Sequence, residues 1–201
     1  MLDRALHAAI KPVLNRAAQG LVRLGIAADA VTITGFVVGM AAAVAIALES
    51  YWVGLALLLA SRLMDGLDGA VARATKPTDR GGFLDITLDF LFYASIPLAF
   101  AIAHPAQNAL PAAVLLAAFI GTGSSFLAFA VIAEKHQVPS TAFPDKSFYF
   151  LGGLTEATET LIAFAAMCLW PQWFPQFAYG FAVLCAITVA MRIGWGWRRF
   201  G

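Results

Sequence analysis

The chain opens with one short-period stretch and then becomes a series of long apolar runs. Over residues 1–26, Leu2, Leu6, Ile10, Val13, Ala17, Leu21 and Leu24 recur at three- and four-residue spacing, while Arg4, Lys11, Arg16 and Arg23 lie outside that stripe. This predicts an amphipathic helix lying in a membrane interface, with a kink at Pro12. Six apolar runs follow, at about 31–48, 51–74, 81–103, 110–133, 148–170 and 174–194. Each is near the ~20 residues that a helix needs to cross a bilayer core. Short links at 49–50, 75–80, 104–109 and 171–173 join them, and a longer link from Glu134 to Ser147 contains Pro139 and Pro144. The expected fold is all-α: an interfacial helix at 1–26, then a membrane bundle of six transmembrane helices at 27–201.

Composition agrees with this pattern. The chain is 61% hydrophobic and 12% charged, against roughly half apolar and about a quarter charged in soluble domains. A net charge of +1 with no basic block gives nucleic acid nothing to bind. Cys168 and Cys185 sit in separate apolar runs and read as small packing residues, neither a disulfide nor a metal site. The charges scattered through the first 25 residues interrupt any signal-peptide core. All 13 lysines and arginines fall at the end of the bundle that holds the termini, or in segments leading to it. The positive-inside rule then puts the termini, the 75–80 loop and the 134–147 loop in the cytoplasm. Tyr51, Trp170 and Trp173 suit an aromatic belt on the other side.

Polar chemistry interrupts the apolar pattern most sharply between residues 65 and 89. Asp65 and Asp68 are three apart and share a helical face, which Gly69, Ala72 and Arg73 continue. Asp85 and Asp89 are four apart and share a face, with Gly81 one turn before Asp85. At about 1.5 Å per residue, Asp68 and Asp65 lie ~9 and ~14 Å from the end of the second run, and Asp85 and Asp89 ~6 and ~12 Å into the third. If the short link makes these helices antiparallel neighbours, Asp68 faces Asp85 and Asp65 faces Asp89. Carboxylates clustered in apolar sequence require protonation or cations. Oxygen-only donors suit Mg²⁺, Mn²⁺ or Ca²⁺. Four of them suffice for two ions, an arrangement that handles phosphoryl displacement. Gly69, Ala72, Gly81 and Gly82 allow close approach of a helix or a ligand, and Arg73 offers a fork for phosphate. Two other readings are a divalent-metal transporter using the buried aspartates, and aspartates that merely pair with Arg62, Arg73 and Arg80.

The residues Asp65-x-x-Asp68-Gly69-x-x-Ala72-Arg73, followed by Gly81-x-x-x-Asp85-x-x-x-Asp89, fill every position of a signature. On them the chain resembles the CDP-alcohol phosphatidyltransferases. The six-run plan, the amphipathic start and the threonine-bearing opening of the first run are similar too, although Asp29 stands near where many members carry asparagine. The resemblance implies phospholipid biosynthesis in a bacterial inner membrane, with the active site facing the cytoplasm. A CDP-alcohol such as CDP-diacylglycerol would be attacked by an acceptor hydroxyl at the lipid-side phosphorus, releasing CMP. It implies Mg²⁺ or Mn²⁺, as two ions, on Asp65, Asp68 and Asp85, with Asp89 as general base and second-ion contact. Thr34, Asp65, Asp68, Gly69, Ala72, Arg73 and Gly81 would line the CDP-alcohol site. Family members are usually homodimers.

Acceptor choice must come from elsewhere in the chain. Some members that use phosphorylated polyols carry an arginine-rich stretch ending in Arg-Ala-Glu. Here the corresponding place reads Phe129-Ala-Val-Ile-Ala-Glu134-Lys135 and lacks the arginines. This weakens glycerol 3-phosphate and inositol phosphate as acceptors, though Lys135, Lys146 and Arg192 remain candidate phosphate contacts. Inositol, serine, an amino-alcohol and the hydroxyl of phosphatidylglycerol stay open. Glu156 and Glu159, three apart on one helical face of the fifth run, are candidates for an acidic acceptor pocket or for pairing with Lys146 or Arg192.

Overall fold

The computed structural model describes residues 2–136 and 154–200, with side chains from residue 10 onward. The described residues form α1 (Leu2–Arg23), α2 (Ala28–Ala47), α3 (Tyr51–Ala74), α4 (Asp79–Ala103), α5 (Pro105–Lys135), α6 (Ala157–Leu169) and α7 (Phe174–Phe200), with a 3₁₀ turn at Pro171–Trp173. The all-α expectation therefore holds. Four stretches are long and apolar enough to cross a membrane: Ala28–Ala47, Asp79–Ala103, Pro105–Lys135 and Pro171–Phe200. α3 fails that criterion because Arg62, Asp65, Asp68 and Arg73 lie within it. α6, with 13 residues, is only about 20 Å long at 1.5 Å per residue. The first part of the expected fifth run, 148–153, lies outside the described residues.

Helix ends follow local chemistry. α1 stops at Gly25, whose φ of +73° suits glycine. There the Ile26 amide donates to the Leu21 carbonyl and the Gly25 amide to the Val22 carbonyl, both at 3.0 Å, a Schellman closure. Thr78 caps α4 by accepting a hydrogen bond from the Gly81 amide at 3.1 Å. Pro105 opens α5, where its missing N–H costs nothing. α1 is packed rather than loose. Its Leu14 and Ala18 are buried against Ala70 and Val71 of α3.

The architecture turns on α2. Val31, Gly35, Gly39, Ala42 and Ile46 form its buried stripe, and α2 packs against both α3 and α4. The approach is close enough that a Cβ on Gly39 would fall 2.6 Å from a Phe92 ring carbon and 2.8 Å from Ser61 Oγ. The Ser61 hydroxyl donates to the Gly35 carbonyl at 2.8 Å. The expectation that α3 and α4 are direct neighbours is corrected here. The short link does turn the chain back, but α2 occupies the contact surface of both helices, and α3 and α4 themselves barely touch. A gap is left between them at the level of the aspartates. Below it, the rings of Phe100 and Phe174 stack at 4.7 Å, and Phe119 meets Phe164 and Phe181 edge-on.

Gly39→Val should wedge α2 away from this core. Overpacking of this kind costs about 1–3 kcal/mol. Thermal unfolding in detergent should show the loss, and an unchanged midpoint would contradict the tight contact at Gly39.

Candidate active site

α3 and α4 project their aspartates into the gap, with α2 as its back wall. Asp65, Asp68 and Asp85 each place one carboxylate oxygen within 4.8 Å of the other two. That separation suits a shared cation, since two oxygens on opposite sides of one ion lie about 4.2 Å apart for Mg²⁺ and about 4.8 Å for Ca²⁺. Asp68 is the deepest of the cluster at 5% exposure. Its Oδ2 is buried with no hydrogen-bond partner among the described residues. An orphaned buried carboxylate oxygen is costly unless a cation meets it. The donor set and this orphaned atom both fit a divalent metal. The Thr32 hydroxyl of α2 also reaches Asp68.

Asp89 stands apart from that trio. Its Oδ1 accepts from Arg62 Nη1 at 2.6 Å, and the same nitrogen lies 3.5 Å from Asp65 Oδ1. The guanidinium also donates to Ser61 Oγ at 3.3 Å, and its Cζ lies over the Phe92 ring, 3.9 Å from the centre. The expected pairing of levels is thus kept for Asp65 and Asp89, but through an arginine bridge.

The other expected donor-site residues divide. A Cβ on Gly69 would meet first the atoms of Arg73, nearest Nη1 at 3.2 Å, so this glycine serves no helix–helix contact. Arg73 is exposed and Ala72 half-buried, both on the outer side of the trio. Gly81 is close-packed: a Cβ there would lie 3.2 Å from Asp29 Oδ1 and 3.1 Å from Thr78 Oγ1. Asp29 holds Arg80 through Nε at 2.9 Å and Nη2 at 2.5 Å, tying the start of α2 to the start of α4. Thr34 needs correction. It is exposed and its hydroxyl donates to the Ala30 carbonyl of its own helix at 2.7 Å. Two helical residues differ by about 200°, so Thr32 faces the gap and Thr34 does not.

The expected acceptor residues form no part of this cluster's framework. Glu156 is the N-cap of α6 and Glu159 its third residue, joined in a reciprocal capping box in which Glu159 Oε2 accepts from the Glu156 amide at 3.2 Å. The expectation that they share a helical face is corrected, because Glu156 precedes the helix. Arg192 of α7 is buried, donates to the Thr122 carbonyl of α5 at 2.8 Å and stands beside Glu156. Lys135 ends α5, and Lys146 lies outside the described residues. Ser61 and Thr32 are site residues that the signature does not contain, and Arg62, expected only as a pairing partner of the aspartates, stands between Asp65 and Asp89. The signal for Arg62 was its place three residues before Asp65, on the same face.

A helical bundle with membrane-length apolar helices, a cation-sized carboxylate trio and a separately held fourth carboxylate fits a membrane-embedded, metal-assisted enzyme. The chain belongs to the CDP-alcohol phosphatidyltransferase family, whose family model matches residues 25–193. It is thus an enzyme of phospholipid synthesis that transfers phosphatidyl groups, and an integral membrane protein. It is 52% identical to inner membrane protein YnjF of Escherichia coli K12 over 197 residues, 98% of this chain and 96% of that protein. The archaetidylinositol phosphate synthase of Methanothermobacter thermautotrophicus is 48% identical over 83 residues, 40% of this chain and 43% of that one. The fold matches crystal structures of Mycobacterium tuberculosis phosphatidylinositol phosphate synthase. With CDP-DAG bound, the TM-score is 0.72 at 23% identity, covering 91% of this chain and 92% of that chain. With manganese and citrate it is 0.70 at 22%, covering 92% and 88%. Nothing in these relatives supports the transporter alternative.

Proposed function

We propose that the chain transfers the phosphatidyl group of a CDP-linked lipid, CDP-diacylglycerol in the first instance, to an acceptor hydroxyl. The single observation that carries this is the division of the four signature aspartates into a cation-sized trio and a fourth held by Arg62. Asp65, Asp68 and Asp85 would hold Mg²⁺ or Mn²⁺, two ions if Asp89 contributes. Metal held there would supply countercharge for the diphosphate and for the departing CMP. Gly69 and Ala72 leave room for the nucleotide along α3, Arg73 binds the diphosphate from the rim, and Gly81 lets α4 start close beside it. Asp89 takes the proton of the attacking hydroxyl. The new bond joins that oxygen to phosphorus, and the bond from phosphorus to the CMP phosphate oxygen breaks. α1 braces α3 as an interfacial helix, and residues 27–201 form the catalytic bundle. The termini and the mouth of the gap face the cytoplasm of a bacterial inner membrane, where the basic residues gather.

For the acceptor, we favour a hydroxyl compound without a phosphate monoester. Arg192 is already engaged by the Thr122 carbonyl and stands beside the Glu156 carboxylate, which offsets its charge. This favours inositol, serine, amino-alcohols and phosphatidylglycerol over glycerol 3-phosphate and inositol phosphate. Purified protein with CDP-diacylglycerol and Mg²⁺ or Mn²⁺ should release CMP with one of the first group. The product would be read by mass spectrometry. Release only with a phosphorylated acceptor overturns the acceptor assignment. No release with any acceptor overturns phosphatidyl transfer from this donor.

A further inference from the structure

We infer that Arg62 is a positioning residue that anchors one oxygen of Asp89 and so aims the other at the acceptor. The inference rests on the transfer reading above. Four carboxylates stand around one gap, and their chemistry alone does not mark which of them takes the acceptor proton. Arg62 supplies the distinction. Its Nη1 takes Asp89 Oδ1 at 2.6 Å and approaches Asp65 Oδ1 at 3.5 Å, so one cation stands between the fourth carboxylate and the trio.

Arg62 is itself fixed from the sides that the aspartates do not occupy. The guanidinium carbon sits over the Phe92 ring of α4 at 3.9 Å from its centre, and 5.5 Å from that of Tyr93. Ser61 accepts from Nη2, while the Ser61 hydroxyl is spent on the Gly35 carbonyl. A side chain held by a ring face, a hydroxyl and two carboxylates is preorganised, which a flexible lysine could not match. Phe92 also packs where a Gly39 Cβ would collide, so the same small-residue contact that sets α2 against α4 sets the platform for Arg62. Asp89 Oδ2 receives no protein hydrogen bond among the described residues, and is the oxygen left for the acceptor proton.

The test is a double-mutant cycle of Arg62→Gln and Asp89→Asn, with Arg62→Lys as the conservative variant. It is read by CMP release and, independently, by electron paramagnetic resonance titration of Mn²⁺. R62Q should lower kcat about 100-fold, as loss of a positioned base does, with the KM for CDP-diacylglycerol little changed. Its Mn²⁺ affinity should hold or tighten, whereas a merely structural arginine would lose about 10–100-fold in metal affinity. In the D89N background R62Q should add less than about threefold, because the two act as one unit. Multiplying effects would overturn the inference, and so would an R62Q kcat near that of the native enzyme. If R62Q fails to fold, R62K carries the test: it keeps a charge but has no guanidinium to sit over Phe92. Its kcat should fall about tenfold at unchanged Mn²⁺ affinity, and an unchanged kcat overturns the inference. An inactive native enzyme would instead sink the transfer reading, so the two failures are distinguishable.

Discussion

Asp68→Asn is expected to abolish CMP release and, at the same time, to raise the thermal stability of the metal-free protein. The two effects share one cause. Asp68 is 5% exposed and its Oδ2 is buried without a hydrogen-bond partner among the described residues. A buried oxygen of this kind destabilises the fold until a cation meets it. The neutral amide removes that cost and removes a metal ligand with it. A bound cation supplies several kcal/mol of charge stabilisation in the transition state. At 1.36 kcal/mol per decade, turnover should fall by about 10³ or more. The native protein should gain stability on adding Mn²⁺, about 2.7 kcal/mol at a hundredfold excess over Kd, and D68N should gain far less. Thermal unfolding with and without MnCl₂ reads both halves. A metal-induced shift of native size in D68N would remove Asp68 from the ligand set.

Much of this site was legible in the chain, and the parts that were not have identifiable physical reasons. Asp65 and Asp68 were readable because helical spacing puts them on one face, and Asp85 because the short link turns α4 back alongside and sets its level against theirs. The separation of α3 from α4 was not, because a short link constrains direction but not contact. What settled the contact was the small stripe of α2, Gly35 and Gly39, which lets that helix sit against both neighbours. That Thr32 and not Thr34 faces the gap depends on the rotation of α2 about its axis, and an apolar-all-round helix gives no amphipathic signal for that rotation. Glu156 and Glu159 resembled a helical face because a capping box has the same three-residue spacing, and its usual Ser or Thr at the first position was missing. Arg62 was visible as a charge, but its role depends on Phe92, thirty residues away in sequence and 3.9 Å away in space.

Asp89→Asn should separate chemistry from binding. A positioned general base contributes about 10²–10⁴ to turnover, and the amide cannot accept the proton. The amide oxygen still accepts from Arg62, so the bridge at 2.6 Å to Asp89 is replaced by a neutral hydrogen bond and the gap keeps its shape. The KM for CDP-diacylglycerol should therefore change little while kcat collapses, the pattern of an interaction made in the transition state. Mn²⁺ stoichiometry adds a second axis. If Asp89 serves only the proton, the variant binds as many ions as the native protein. If it also holds the second ion, one equivalent is lost and the donor KM rises with it, because the diphosphate loses half of its countercharge. Near-native turnover in D89N would remove it as the base altogether. Asp89→Glu sharpens the distinction, since a carboxylate is restored but displaced by one methylene. A base fixed by Arg62 at one oxygen tolerates that displacement poorly, because misplacement by about 1 Å costs on the order of 100-fold. A metal ligand with no such tether would tolerate it better, so D89E activity close to native would favour the ligand role and D89E activity close to that of D89N the tethered base.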